Sequence, residues 1–334
     1  MSSIFQIGDI KVEPGTRYQG IIEVVRSPLG YPIGLPVMIF NGIKEGKTVV
    51  VDAMTHGDET EGALAMLKIQ RDLDPKEMSG TLIAVPALNS QAFESNTRGN
   101  PFEIHQYDFN RGYPGAENGG LTQRLAHFYL ENLIKRADAV ITLHGGGTPF
   151  YLDGFVIAQN TTAGLELVRA MGWRRFSSAP PAGVAKYAGT LTGYCRELGV
   201  ASITAEMGGF GFRTPSYLNR VTSEFKRGVR NVMIYYGLIE GEPDRPDTLH
   251  RIKRHLFRSS KGGIIELAPG IDIDSEVKEG GLILSIYSMF GELLDEQRSP
   301  FDGRIMGLPG GPLASPARIL ASVYSVEEEI PTIP

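Results

Sequence analysis

The chain has a single cysteine, Cys195, and no apolar run near the roughly 18 residues that a membrane span needs. One cysteine excludes an internal disulfide framework and a cysteine-based structural zinc site, and it fits a reducing compartment. A net charge of −5 over 334 residues supplies no general attraction to nucleic acid or to an anionic membrane. The opening residues, MSSIFQIGDIKVEPG, lack the basic-then-apolar pattern of a secretory signal. The expectation is a cytoplasmic protein with neither nucleic-acid nor membrane partners, a homo-oligomer being left open. The length accommodates one large α/β domain and a smaller one.

What the chain does have is a set of strand-like runs that end in reactive residues. Val49-Val50-Val51 leads into His56-Gly57-Asp58-Glu59, and an Ala/Leu/Met-rich helical segment follows. Strand, polar turn, then helix is where open α/β sheets place their chemistry, at the carboxyl ends of strands. His56 and Glu59, three apart in a turn, offer a nitrogen and an oxygen to one cation. The runs Ala139 to His144 and Ala201 to Glu206 end in the same way. If the three strands are neighbours, His56, Glu59, His144 and Glu206 share one rim. Two histidines and one carboxylate with an open position compose a catalytic zinc site, and Glu206 remains as general base. His105, His127, His250 and His255 read as structural or surface residues.

Around these runs, residues 1–47 read as antiparallel strands, including Ile21–Val25 and Val37–Phe40. Gly42–Thr48 is similar to a phosphate-binding loop. However, the first required glycine falls on Asn41 and the segment precedes its strand, so a turn is expected. Glu61–Leu73 reads as an amphipathic helix and Gly80–Leu88 as the next parallel strand. Residues 89–120 form a long polar stretch containing Arg98, Asn110 and Arg111; guanidinium groups there suit capture of a carboxylate or a developing oxyanion. Leu121–Lys135 has helical spacing. Gly145–Gly147 follow His144, but the chain has no G-x-S-x-G turn, which excludes an α/β-hydrolase; the glycines are expected to let backbone approach a substrate. Residues 172–197, with SSAPPAG and Tyr194-Cys195-Arg196, form a candidate lid. Ser223–Ile239 reads as the last long helix of the first domain (1–250), and Pro243–Pro246 as a linker. From 251 to 334 short strands at Gly262–Glu266, Leu282–Tyr287 and Gly303–Met306 alternate with glycine turns, a small β-barrel or sandwich module. That texture resembles a biotinyl/lipoyl carrier. Phe290 stands beside Met289 where the carrier lysine belongs, so a structural role is expected.

Four motifs together, H-G-D-E (56–59), N-x-R with D-F-N-R-G-Y-P-G (96–115), T-L-H-G-G (142–146) and A-E-M-G-G (205–209), resemble the succinylglutamate desuccinylase/aspartoacylase family of zinc-carboxypeptidase-like hydrolases. The resemblance implies a mixed-sheet α/β catalytic domain followed by the β module. It implies one zinc per chain held by His56, Glu59 and His144, with Glu206 activating water and protonating the leaving amine. Asn110 and Arg111 would hold a substrate carboxylate, and Arg98 would polarise the scissile carbonyl. Phe109 and Tyr113 replace the Leu and Phe usual in that motif. The implied reaction is deacylation of a small N-acyl amino acid or related amide; N-acetyl-diaminobutyrate is one substrate known in the family. A carboxypeptidase for short peptides and an inactive small-molecule binder are the alternatives.

Overall fold

The computed structural model describes residues 2–103, 108–179, 189–209, 214–316 and 318–332. His105 and the proline-rich middle of the expected lid lie outside the described residues.

A small hairpin, β1 (Phe5–Ile7) and β2 (Ile10–Val12), precedes two long antiparallel strands, β3 (Thr16–Arg26) and β4 (Pro32–Asn41). A parallel β-α-β unit follows, made of β5 (Lys44–Ala53), α1 (Glu61–Ile69) and β6 (Ser79–Val85). The expected turn at Gly42–Thr48 is shorter than its sequence suggests, because β5 already starts at Lys44; that polar end of the strand is exposed, so nothing demands apolar residues there. Among its described residues the stretch 89–120 holds α2 (Ser90–Glu94) and a 3-10 turn at Phe109–Arg111. Next come α3 (Leu121–Asn132), β7 (Ala139–His144), β8 (Phe150–Ala158), α4 (Thr162–Met171), β9 (Arg175–Ser178), α5 (Leu191–Glu197), β10 (Ala201–Gly209) and α6 (Pro215–Tyr235). Helix α6 starts eight residues before the expected Ser223, capped by Thr214 with proline at its first turn.

After α6 the described chain contains only strands and turns: β11 (Thr248–Arg258), β12 (Gly263–Leu267), β13 (Glu276–Val277), β14 (Leu282–Tyr287), β15 (Leu293–Arg298), β16 (Gly303–Pro309), β17 (Leu313–Ala314) and β18 (Ile319–Pro331). Four of them form a separate antiparallel sheet, β15-β14-β12-β17. The others do not stand apart. One twelve-stranded mixed sheet runs β13-β16-β18-β11-β9-β8-β10-β7-β5-β6-β4-β3. Because β16 also pairs with β8, strands β8, β9, β11, β18 and β16 close a ring, filled by Phe150, Leu152, Phe155, Ile252, Met306 and Tyr324. The C-terminal strands are thereby fastened to the middle of the main sheet.

The centre of that sheet is parallel and covered on both faces, so its strands carry continuous apolar runs. Successive residues still point oppositely. Val49 and Val51 enter one core with Met66 of α1 and Phe225 of α6, while Val50 enters the other with Leu125 and Tyr129 of α3. Helix α1 lies so close on β7 that a Cβ at Gly62 would fall 2.6 Å from Leu143 Cβ, which explains glycine inside that helix. No helix among the described residues is long and apolar enough to cross a membrane.

Candidate metal centre and substrate cavity

Strands β10, β7 and β5 are neighbours and parallel, so their carboxyl ends share one rim, as the sequence led us to expect. Glu206 is the register partner of His144, which puts both on the same face of adjacent strands. His56 arrives differently. Met54 just beyond β5 has φ +50°, a left-handed conformation uncommon without glycine, where the chain leaves the strand. Glu59 follows immediately before α1.

Three donors converge. His56 Nδ1 is 2.8 Å from Glu59 Oε1, His144 Nδ1 is 2.8 Å from Glu59 Oε2, and the two Nδ1 atoms are 3.2 Å apart. All three residues are buried. A tetrahedral zinc site with bonds of about 2.0–2.1 Å has ligand–ligand edges of roughly 3.3–3.4 Å, so this triangle is nearly the right size for such an ion. Charge leads to the same place. Burial opposes ionisation of Glu59, yet His56 and His144 hold its carboxyl far below the usual range. Burial likewise opposes charge on His144, but Glu59 outweighs it and raises the imidazole to about 9. The pocket between the three donors is built for a positive charge, carried by a proton or by a cation in its place.

The surrounding shell fixes these donors. Asp108 Oδ1 lies 3.2 Å from His56 Nε2, and Arg98 Nη2 donates to Asp108 Oδ2 at 3.0 Å. Against the opposing effect of burial, the His56 hydrogen bond and the Arg98 charge hold Asp108 well below the usual carboxylate range. A carboxylate on the outer nitrogen of a ligating imidazole sets its tautomer and orientation. Below the rim Asp52 is fully buried and accepts from Thr142 Oγ1 at 2.6 Å and from Tyr129 Oη at 2.8 Å, tying β5, β7 and α3 together. Burial raises the Asp52 carboxyl, and its hydrogen bonds only partly offset that. Burial also raises Glu206, partly countered by His144.

Arg98 stands beside the triangle, its Nη1 3.5 Å from Glu59 Oε1, with nearly half of its side chain exposed. Asn110 Oδ1 accepts from the Leu191 N–H at 3.0 Å and so anchors the start of α5, leaving its amide NH2 as the donating end. Arg111 bonds its neighbour's carbonyl at 2.7 Å and is otherwise exposed. Of the glycines after His144, Gly145 and Gly146 line the cavity and Gly146 also packs closely against backbone. A Cβ at Gly146 would fall 1.9 Å from the Phe150 carbonyl oxygen, and Gly146 N–H donates to Gly208 O at 3.0 Å.

All seven residues expected from the sequence (His56, Glu59, Arg98, Asn110, Arg111, His144 and Glu206) line one cavity of about 550 Å³. Arg196 of the expected lid lines it too, as do Arg254 and Arg258 of β11 and Arg318 just before β18. His250 and His255 lie elsewhere, the first 3.5 Å from Glu329 and the second edge-on to Phe257. Sequence reading missed Asp108, although it stands inside the D-F-N-R motif, and missed Arg254, Arg258 and Arg318 in the lining of the same cavity.

Residues 45–236 match the succinylglutamate desuccinylase/aspartoacylase catalytic domain, more than half of the chain. The chain belongs to the succinylglutamate desuccinylase/aspartoacylase family. Among relatives, the N-alpha-acetyl-L-2,4-diaminobutyric acid deacetylase of Halomonas elongata is 28% identical over 253 residues, 73% of this chain and 72% of that protein. Solved structures of the family share the fold. The succinylglutamate desuccinylase/aspartoacylase from Rhodobacter sphaeroides superposes with a TM-score of 0.84 at 23% identity, covering 96% of this chain and 99% of that one. The product-bound ectoine utilization protein EutE (DoeB) from Ruegeria pomeroyi gives 0.83 at 23% identity, covering 95% and 97%.

Proposed function

We propose that the chain is a zinc-dependent deacylase that hydrolyses the amide bond of a small N-acyl amino acid or related amide. The observation that carries this reading is the convergence of His56 Nδ1, His144 Nδ1 and the Glu59 carboxylate within 3.2 Å of one another, with Glu206 on the adjacent strand end. His56, Glu59 and His144 would hold one zinc ion per chain. When bound, such an ion supplies Lewis acidity and brings the pKa of water down to about 7. Glu206, whose carboxyl burial has already made more basic, takes the proton of the attacking water and returns it to the leaving amine. Arg98 donates to the carbonyl oxygen as negative charge develops there. Asn110 NH2 and Arg111 hold the carboxylate of the amine half and so orient the scissile bond.

The same reading makes the substrate a free small molecule and places the enzyme in the cytoplasm, where the buried thiol of Cys195 stays reduced. It divides the chain into a catalytic domain, 1–250, and a C-terminal β module, 251–334, that narrows the cavity. The test is a hydrolysis screen of zinc-loaded protein against N-acetyl, N-succinyl and N-formyl amino acids and blocked dipeptides, repeated with Glu206→Gln. We expect N-acyl amino acids to be cleaved ahead of dipeptides. Glu206→Gln should retain zinc and lose roughly 10²- to 10⁴-fold in turnover. Undiminished turnover in that variant, or a preference for dipeptides, would overturn the assignment.

A further inference from the structure

Glu206 stands at the last regular position of β10. Beyond it the register with β8 shifts between Glu206 and Gly208, and Gly208 and Gly209 have φ of +95° and +117°. Glycine alone adopts such angles readily, so two consecutive residues there have no side chain to pack and a wide choice of conformation. Such a strand end holds its course through the ties on its polar groups. Gly208 O accepts from the Gly146 N–H at 3.0 Å, and the Gly209 N–H donates to Tyr217 Oη at 2.7 Å.

The same hydroxyl reaches a second element. Tyr217 Oη is 2.9 Å from Glu61 Oε1 and 3.0 Å from Gly209 O. A phenol carries one proton, and the buried carboxylate is the stronger acceptor, so Oη donates to Glu61 and accepts from Gly209. Burial, and then the charge of Glu61, hold the phenol well above its ordinary value, so it remains a donor. Glu61 is the first residue of α1, two positions after Glu59, and Tyr217 lies in the first turn of α6. An acid in the first turn of a helix suits the helix dipole by itself. The tyrosine adds a link from that turn to the strand end. Neither Tyr217 nor Glu61 lines the cavity, so the link acts from behind the site.

We propose that Tyr217 is a positioning residue for the hydrolysis: its hydroxyl ties the end of β10, which carries Glu206, to the start of α1, beside Glu59, and so fixes the general base against the metal centre. The inference rests on the deacylase reading of the cavity. A base displaced by about 1 Å loses on the order of 10²-fold in rate, while the groups that bind the substrate are unaltered.

The test compares the zinc-loaded wild type with Tyr217→Phe, Glu61→Leu, Glu61→Gln and Tyr151→Phe, on the N-acetyl amino acid that the wild type cleaves fastest. Crystal structures of the wild type and Tyr217→Phe accompany the kinetics. Tyr217→Phe removes only the hydroxyl. Its kcat should fall about 10- to 100-fold, with the Glu206 carboxylate displaced by about 1 Å or divided between two positions. KM and zinc affinity should move less than about threefold, because no group that binds substrate or metal is touched. Glu61→Leu cuts the link at its other end and should give the same loss. Glu61→Gln still offers an oxygen to the Tyr217 O–H and should stay within about threefold of wild type. Tyr151, whose ring lies 6.1 Å from that of Tyr217, accepts from Arg220, and Tyr151→Phe should leave kcat unchanged. Should Tyr217→Phe not fold, the two variants at Glu61 decide by the same criteria. A folded Tyr217→Phe with unchanged kcat, or with Glu206 in its wild-type place, or with a loss that Tyr151→Phe equals, would overturn the proposal. If the wild type cleaves no N-acyl amino acid while Glu206 moves in Tyr217→Phe, the deacylase reading fails and the hold on Glu206 stands.

Discussion

Asp108→Asn removes one negative charge and almost no volume from the shell around the proposed metal ligands. Asp108 uses one oxygen for His56 Nε2 at 3.2 Å and for the Asn110 N–H at 3.0 Å, and the other for Arg98 at 3.0 Å. An asparagine has only one oxygen to offer. If it stays on His56 and Asn110, the NH2 group is turned onto Arg98; if it flips, NH2 faces the His56 N–H. The first arrangement loses the hydrogen bond to the charged Arg98, about 1.5–3 kcal/mol, and the flip loses the bonds to both His56 and the Asn110 N–H. Arg98 exposes 47% of its side chain, so solvent screening puts its share at the lower end of that range. Combined with the weaker hold on the His56 tautomer, the zinc dissociation constant should rise about 10- to 100-fold. Competition against a chromogenic chelator measures this, with circular dichroism as a check on folding. A folded Asp108→Asn protein whose zinc affinity changes less than twofold would refute the role given to Asp108.

Two further predictions concern the buried groups. Tyr129→Phe deprives the buried Asp52 of one of its donors and should lower unfolding stability by about 1–3 kcal/mol, read from urea midpoints; no measurable loss would show that the Asp52 network adds nothing. Burial pushes the Cys195 thiol up to about 12, so at pH 9 only about one molecule in a thousand carries the thiolate and alkylation of the folded protein should be very slow. The unfolded chain releases that proton near pH 8.5. Between there and about 12 the native state binds more protons than the unfolded one, so stability falls as pH rises. Cys195→Ala should flatten that decline between pH 8.5 and 10.5, and an identical slope in the two proteins would contradict the burial argument.

The rim that brings His56, Glu59, His144 and Glu206 together was legible because each of its strands announces itself. Val49–Val51 and Ala139–Leu143 are unbroken apolar or β-branched runs, and Ala201–Ala205 is broken only by the small Ser202, as a sheet covered on both faces requires; each gives way to polar residues where the strand emerges. Strand β11 hid for the opposite reason. Arg251, Lys253, Arg254 and His255 mask its alternation, and only tertiary partners explain them: Arg251 lies 3.1 Å from Glu328 on β18, and Arg254 stacks on Phe155. Arg254 and Arg258 in the cavity lining were therefore invisible before β11 was seen to join the main sheet. Asp108 was within a recognised motif, yet its partner His56 is 52 positions away, and no local spacing reports that approach. The early start of α6 did carry a signal, Thr214 followed by Pro215, a common helix entry.

The central claim is that two imidazoles and one carboxylate grip a single divalent ion beside Glu206. Anomalous diffraction at the zinc edge from zinc-loaded crystals tests it most directly. The account predicts one peak about 2.0–2.2 Å from His56 Nδ1, His144 Nδ1 and a Glu59 oxygen, with Glu206 within hydrogen-bond reach of the open coordination position. A peak elsewhere in the chain, or none at those three residues, would contradict it.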